Sequence, residues 1–185
     1  MKTNNVAIGT LLVSLAIGAA VTPMPALASH QGQGFIYNAA NGKCLDFSAG
    51  NLSNAVTLQQ WTCGGNTAIN QQWNFIPAGS YPNGASSYII QNAMNYTCMA
   101  VENDTTANAA RIVQRTCDAT NSSQHWIQLT NGVLGVQTRW MNGRSAKCLD
   151  IWNGSNGTVF QQYTCAGSST WPAQGFRVSL FPIGS

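Results

Sequence analysis

The chain has 185 residues and a formal net charge of +3, and only 7% of its residues are charged. So sparse a charge excludes a nucleic-acid or anionic-membrane surface, which needs clustered Lys and Arg. It leaves a surface of Asn, Gln, Ser, Thr and Gly, suited to neutral, hydroxyl-rich ligands.

Met1 to Asn5 carries Lys2, an apolar run follows from Val6 to Val21, and Pro23 and Pro25 lead into Ala26-Leu27-Ala28. A basic opening, a short apolar core and an A-x-A site read as a secretory signal peptide, residues 1–28, cut after Ala28. The run is short of the roughly 20 residues that span a bilayer. Taking 28 residues from 185 leaves 157, residues 29–185, one domain's worth of chain. Losing Lys2 lowers the net charge from +3 to +2. The expected product is secreted and extracellular, without membrane insertion.

One pattern then recurs three times, at Cys44 to Phe75, Cys98 to Ile127 and Cys148 to Val178. First cysteines fall at 44, 98 and 148, second cysteines at 63, 117 and 165. A Gln-x-aromatic closes each unit: Gln71/Trp73, Gln124/Trp126 and Gln174/Phe176. The period is 54 and then 50 residues, in the range of repeat architectures. Boundaries fall at about 33–83, 84–133 and 134–182. All six cysteines belong to the pattern. Six cysteines allow 15 connectivities, but in an exported chain the repeat favours one local bridge per unit, Cys44–Cys63, Cys98–Cys117 and Cys148–Cys165. Loops of that length would each stabilise the fold by roughly 3 kcal/mol. Zinc would need C-x2-C pairs or histidine partners, which the pattern lacks.

Between the cysteines the chain reads as short strands. Unit one offers Phe35 to Tyr37, Cys44 to Phe47, Val56 to Trp61 and Gln72 to Ile76, broken at Asn41-Gly42, Ala49-Gly50 and Gly64-Gly65. Unit two offers Tyr88 to Gln91, Cys98 to Val101, Ile112 to Arg115 and Trp126 to Leu129. Unit three offers Gly135 to Thr138, Cys148 to Trp152, Val159 to Tyr163 and Phe176 to Leu180. No apolar pattern of helical period runs for three turns. An all-β fold of three repeats and twelve short strands is expected, best satisfied by a closed and capped barrel without exposed edges.

C-L-D, then Q-x-W/Y-x-C, then Q-x-W/F, repeated over Gln33 to about Pro182, resembles the ricin B-chain-like lectin domains. The resemblance implies a β-trefoil, a six-stranded barrel closed by three hairpins about a pseudo-threefold axis, that binds sugars and carries no cofactor.

Comparing the units separates scaffold from site. Trp73, Trp126 and Phe176 are kept as large aromatics throughout and read as barrel core. Asp46 and Asp150 face Ala100 in unit two, Gln59 and Gln161 face Val113, and Trp61 and Tyr163 face Arg115. Unit two has lost carboxylate, amide and aromatic as a set. A carboxylate accepts strong hydrogen bonds from sugar hydroxyls, an aromatic face packs on the C–H face of a pyranose, and a planar amide both donates and accepts. By the resemblance, the first pocket comprises Asp46, Gln59, Trp61, Asn70 and Gln71, and the third Asp150, Gln161, Tyr163 and Gln174. Ala173 stands where Asn70 does, so the third pocket is expected to be weaker or differently tuned. The Gln of each unit persists in unit two and reads as holding backbone groups. For Asp46 and Asp150 the structural alternative is turn capping. Arg115, Glu102, Asp104 and Arg111 read as solvated surface, and His125 as packed rather than catalytic.

Asp46 and Asp150 should point into separate pockets, whereas a glycosidase needs two carboxyls about 5–10 Å apart. The expectation is a non-enzyme: a lectin for neutral sugars, galactose-containing or xylan-like glycans, acting through shallow pockets in repeats one and three. A separate catalytic or toxin chain is a conceivable partner that the sequence does not identify. The alternative is a secreted β-trefoil protease inhibitor or interaction protein acting through a loop, which would ignore free sugar and survive Asp46→Ala.

Overall fold

Alternation shapes the first strand of the chain, where Gly34, Ile36 and Asn38 turn inward between half-buried Gln33, Phe35 and Tyr37. A computed structural model describes residues 32–48, 53–82, 84–129, 136–167 and 172–181. The expected leader and the break at Ala49-Gly50 lie outside the described residues.

Twelve strands and no α-helix occur among the described residues. Repeat one holds β1 (Gly32–Asn38), β2 (Cys44–Asp46), β3 (Gln59–Trp61) and β4 (Trp73–Ser80). Repeat two holds β5 (Ser86–Asn92), β6 (Cys98–Val101), β7 (Ala110–Arg115) and β8 (His125–Gln128). Repeat three holds β9 (Trp140–Asn142), β10 (Cys148–Asp150), β11 (Gln161–Tyr163) and β12 (Phe176–Leu180).

The pairing closes a ring. β1 pairs β4, β4 pairs β5, β5 pairs β8, and β8 pairs β9. Thr138, just before β9, bridges Phe176 of β12, and β12 returns to β1. Those six strands form the barrel. The hairpins β2–β3, β6–β7 and β10–β11 cap it and meet one another through Thr57–Val113, Gln59–Val159 and Gln161–Arg111. The fold is a β-trefoil.

Three strand assignments change. The first strand of repeat three lies at Trp140–Asn142; of the expected Gly135 to Thr138, Gly135 lies outside the described residues, Val136 is exposed, and the side chain that enters the core is that of Trp140. Val56 to Trp61 and Val159 to Tyr163 run as ladder only from Gln59 and Gln161, because Thr57 and Val159 make single bridges between hairpins.

Trp73, Trp126 and Phe176 are fully buried, and Phe75, Tyr88 and Trp140 form an aromatic cluster with centroids 5.8–6.1 Å apart. Trp73 Nε1 donates to Leu45 O at 3.1 Å and Trp126 Nε1 to Met99 O at 2.9 Å, tying barrel to cap. The disulfides are Cys44–Cys63, Cys98–Cys117 and Cys148–Cys165, one per repeat.

Threefold equivalence extends to the turns that enter the hairpins. Asn38, Asn92 and Asn142 each accept through Oδ1 from the backbone N–H two residues on, Ala40, Met94 and Arg144. The same turns place Gly42, Tyr96 and Ala146 at φ 70°, 57° and 55°. Repeat one alone has the glycine that this left-handed geometry favours, so in the other two the surrounding backbone overrides local preference.

A second buried amide, unremarked in the sequence, joins neighbouring repeats. Gln60, Gln114 and Gln162 are fully buried. Gln60 Nε2 donates to Asn153 O and Ser155 O, Gln114 Nε2 to Ser53 O, and Gln162 Nε2 to Thr105 O and Ala107 O. Each hairpin therefore carries a loop of another repeat.

Candidate functional site

The cap hairpins put the expected site residues face to face. Asp46 lies directly opposite Gln59, and Asp150 opposite Gln161, in the same antiparallel register. Gln59 Nε2 donates to Asp46 Oδ1 at 2.9 Å, and Gln161 Nε2 to Asp150 Oδ1 at 2.9 Å. From the far side Gln71 Nε2 donates to Asp46 Oδ2 at 2.8 Å, and Gln174 Nε2 to Asp150 Oδ2 at 3.0 Å. Asn70 Nδ2 adds a third bond to Asp46, to Oδ2 at 2.8 Å, and also reaches Phe47 O at 2.9 Å. Both carboxylates are buried and are held, among the described residues, by side-chain amides rather than by turn N–H groups. Burial raises the Asp46 carboxyl above its ordinary value, and the amides of Gln59, Gln71 and Asn70 pull the other way.

Gln71 and Gln174 stand behind the carboxylates, buried, with both ends of the amide occupied. Gln71 bonds Thr62 O and Gly64 N, Gln124 bonds Thr116 O and Asp118 N, and Gln174 bonds Thr164 O and Ala166 N. The Gln of the repeat is thus a backbone clamp in all three units and a support for the carboxylate in two.

The aromatic walls face outward: Trp61 and Tyr163 are each 44% exposed. Asp46, Gln59, Trp61, Asn70 and Gln71 line one hollow of about 640 Å³. Around Asp150 and Tyr163 there are two adjoining hollows. One, of about 380 Å³, runs past Thr164, Cys165 and Gln174. The other, of about 800 Å³, runs past Gln161, Trp152 and Ala173 to Asn38, Ala40 and Asn41 of repeat one.

A family model described as ricin-type β-trefoil lectin domain-like matches residues 26–81 and 69–163.

The chain belongs to this ricin-type lectin-like family.

No curated protein matches the sequence. Among solved structures, the designed threefold-symmetric protein ThreeFoil matches with TM-score 0.68 and 23% identity over 80% of this chain and 98% of its own. The exo-β-1,3-galactanase 1,3Gal43A of Clostridium thermocellum matches with TM-score 0.68 and 23% identity over 82% of this chain but 31% of its own. The C-half of an earthworm R-type lectin, in complex with GalNAc, matches with TM-score 0.55 and 22% identity over 81% of this chain and 99% of its own. At these identities the likeness is one of fold.

Repeat two of the lectin-like domain is rebuilt rather than merely lost. Ala100 lies opposite Val113, and both are fully buried, so an apolar pair replaces Asp–Gln. Asp104, four residues on and at φ 53°, accepts from Ser123 Oγ, from Asn121 Nδ2 at 3.2 Å and from Arg115 Nη1 at 3.4 Å. Ser123 and Arg115 are the counterparts of Asn70 and Trp61, so Asp104 bridges the two positions that flank the first pocket. Arg144 Nε bonds Asp104 O at 2.8 Å. Hydrogen bonding from Ser123, with Asn121, Arg115 and Arg144 adding to it, lowers the Asp104 carboxyl against a smaller opposing effect of burial. Asp104 and Arg115 are therefore a partly buried ion pair, not the solvated charges expected. His125, half-buried, sets Nε2 at 2.9 Å from Ala119 O.

Sequence reading passed over Trp152, which is 75% exposed and lines the larger hollow. Its signal was available: a tryptophan two residues after the Asp, where Ser48 and Glu102 stand in the other repeats. No group of three or more His, Cys, Asp or Glu able to hold a metal lies among the described residues.

Proposed function

We propose that the chain is a secreted lectin for neutral sugars, galactosides or xylan-like polysaccharides, with pockets in repeats one and three. The observation that carries this reading is the pairing of an amide-held carboxylate with an outward aromatic, Asp46 with Trp61 and Asp150 with Tyr163. A carboxylate whose oxygens are fixed by Gln donors keeps its remaining lone pairs aimed at the hollow, where sugar hydroxyls can donate to them. The aromatic covers the apolar face of the ring and sheds water. Among the described residues, the lining of both pockets includes no Lys or Arg, in keeping with an uncharged ligand.

The reading assigns binding without bond cleavage. Asp46 and Asp150 belong to different hairpins and different hollows, and among the described residues neither hollow is lined by a second carboxylate for acid–base work. Two sites on one rigid scaffold would favour clustered or polymeric glycans by avidity. Family membership and the GalNAc complex of the earthworm lectin support a sugar ligand. The galactanase, three times longer than the matched portion, supports a role beside a catalytic partner.

Glycan-array and calorimetric binding, run with Asp46→Ala, Asp150→Ala and the double variant, tests the proposal. Each single variant should lose one site, with a drop of at least about tenfold there, and the double variant should bind nothing. Sugar binding retained by a folded double variant would overturn it, and a blank array from folded wild type would favour the inhibitor reading. Export is tested by N-terminal sequencing of protein from the culture medium, which should begin at Ser29.

A further inference from the structure

Threefold symmetry makes each pocket's neighbour predictable, and at repeat three the neighbour is missing. In repeats one and three the turn before the hairpin reaches the corresponding place of a neighbouring repeat. In repeat three that turn carries Arg144, which reaches across to Asp104 O. Its counterparts are Met94 and Ala40. Ala40, the smallest, lines the large hollow of repeat three. Two further replacements remake the same place: Ala173, standing for Asn70, opens it, and the exposed Trp152, standing for Ser48, adds an aromatic wall. Asp150 and Tyr163 thereby line both the smaller hollow and the larger one beside it.

We propose that the repeat-three site is a cleft of two subsites that takes consecutive units of a linear neutral oligosaccharide. One unit sits on Tyr163 beside Asp150, and the next lies on Trp152 across the boundary with repeat one. This rests on the carbohydrate-binding reading above and adds to it that repeat three reads chain length, whereas repeat one reads a single sugar. Two outward aromatics, Tyr163 and Trp152, lining one carboxylate-bearing cleft fit successive pyranose rings. Asn153 lines the outer subsite, and its Nδ2 has no protein partner among the described residues, so it can donate to a hydroxyl.

The outer subsite is preformed. Gln60, buried in repeat one, donates to Asn153 O at 2.5 Å and to Ser155 O at 3.0 Å, and accepts from Asn41 Nδ2 at 3.1 Å. Asn38 Nδ2 donates to Pro172 O at 3.0 Å, fixing the opposite wall. A platform already ordered loses little freedom when the ligand arrives.

The experiment uses the Asp46→Ala protein, so that repeat three alone reports, and measures calorimetric affinity for galactose, xylose and their di-, tri- and tetrasaccharides. Affinity should rise about tenfold from the monosaccharide to the di- or trisaccharide and then level off. In Trp152→Ala, and separately in Ala40→Met, which restores the bulk of repeat two, the rise should fall to near one. Monosaccharide binding without a rise would overturn the two-subsite cleft and leave the lectin reading standing. A rise that persists in both variants would overturn the assignment to Trp152 and the Ala40 side. No binding of any sugar by the folded protein would overturn the cleft and the lectin reading together.

Discussion

Gln71 joins Asp46 to the main chain: its Nε2 donates to Asp46 Oδ2 at 2.8 Å and to Thr62 O at 3.0 Å, while its Oε1 accepts from Gly64 N at 2.8 Å. One buried amide thus fixes both the carboxylate and the strand end beside Cys63. Gln124 makes the same two backbone bonds with no carboxylate above it.

That contrast separates fold from binding. Gln124→Ala should destabilise the protein by about 2 kcal/mol, the cost of leaving backbone groups unsatisfied, and leave sugar affinity unchanged. Gln71→Ala should cost a similar amount and also weaken the repeat-one site. Denaturant unfolding paired with calorimetry checks both. Equal sugar affinity in Gln71→Ala would show that Asp46 needs no support from beneath.

Asp46 should impose a pH limit on its site. Burial raises its carboxyl, and the protonated form loses acceptor capacity for sugar hydroxyls, so repeat-one affinity should fall as pH drops through a window that opens above the ordinary carboxylate value. Stability moves oppositely. In that window the folded state holds a proton that the unfolded state has released, so the Asp46 contribution declines as pH rises from the unfolded to the folded value. Asp104, lowered in the fold, contributes stability that is lost as pH falls. Affinity titrations in the Asp150→Ala background, and melting curves of Asp104→Asn across the same range, distinguish the two groups.

Restoring repeat two needs more than its three lost residues. Ala100→Asp with Val113→Gln and Arg115→Trp should leave calorimetric stoichiometry unchanged, because Asp104 still holds Ser123 and would repel a carboxylate at position 100. Adding Asp104→Ala and Ser123→Asn should raise it by one site. A third site from the triple change alone would show that Asp104 does not obstruct.

Barrel closure offers a test at Gly34, where β1 meets β12. A Cβ there would lie 2.9 Å from Leu180 Cα and would press on Ser179 O. Gly34→Ala should therefore cost about 1 to 3 kcal/mol by overpacking, read as a lower denaturation midpoint with sugar stoichiometry unchanged.

The sequence by itself determined the threefold period, the disulfide in each unit and the equivalence that sets Asp46 and Asp150 against Ala100. These are legible because a repeat writes the same local demands at fixed spacing: a cysteine pair, a Gln clamp, an aromatic for the barrel. The Asp–Gln pairs are legible as a set, since Asp46 and Asp150 stand two residues after the first cysteine and Gln59 and Gln161 four before the second. Tertiary structure alone decided what lies between repeats. Gln60 seats the Asn153 loop from 93 residues away, Ala40 borders Asp150 from the other end of the chain, and Asp104 crosses to Ser123 from a left-handed turn. Trp140, not Val136, enters the core because barrel closure rather than local β-propensity selects which apolar side chain turns inward. Internal comparison aligns Gln60 with Gln114 and Gln162 but does not name the loop that each one meets, and those meetings shape the cleft in which the third site lies.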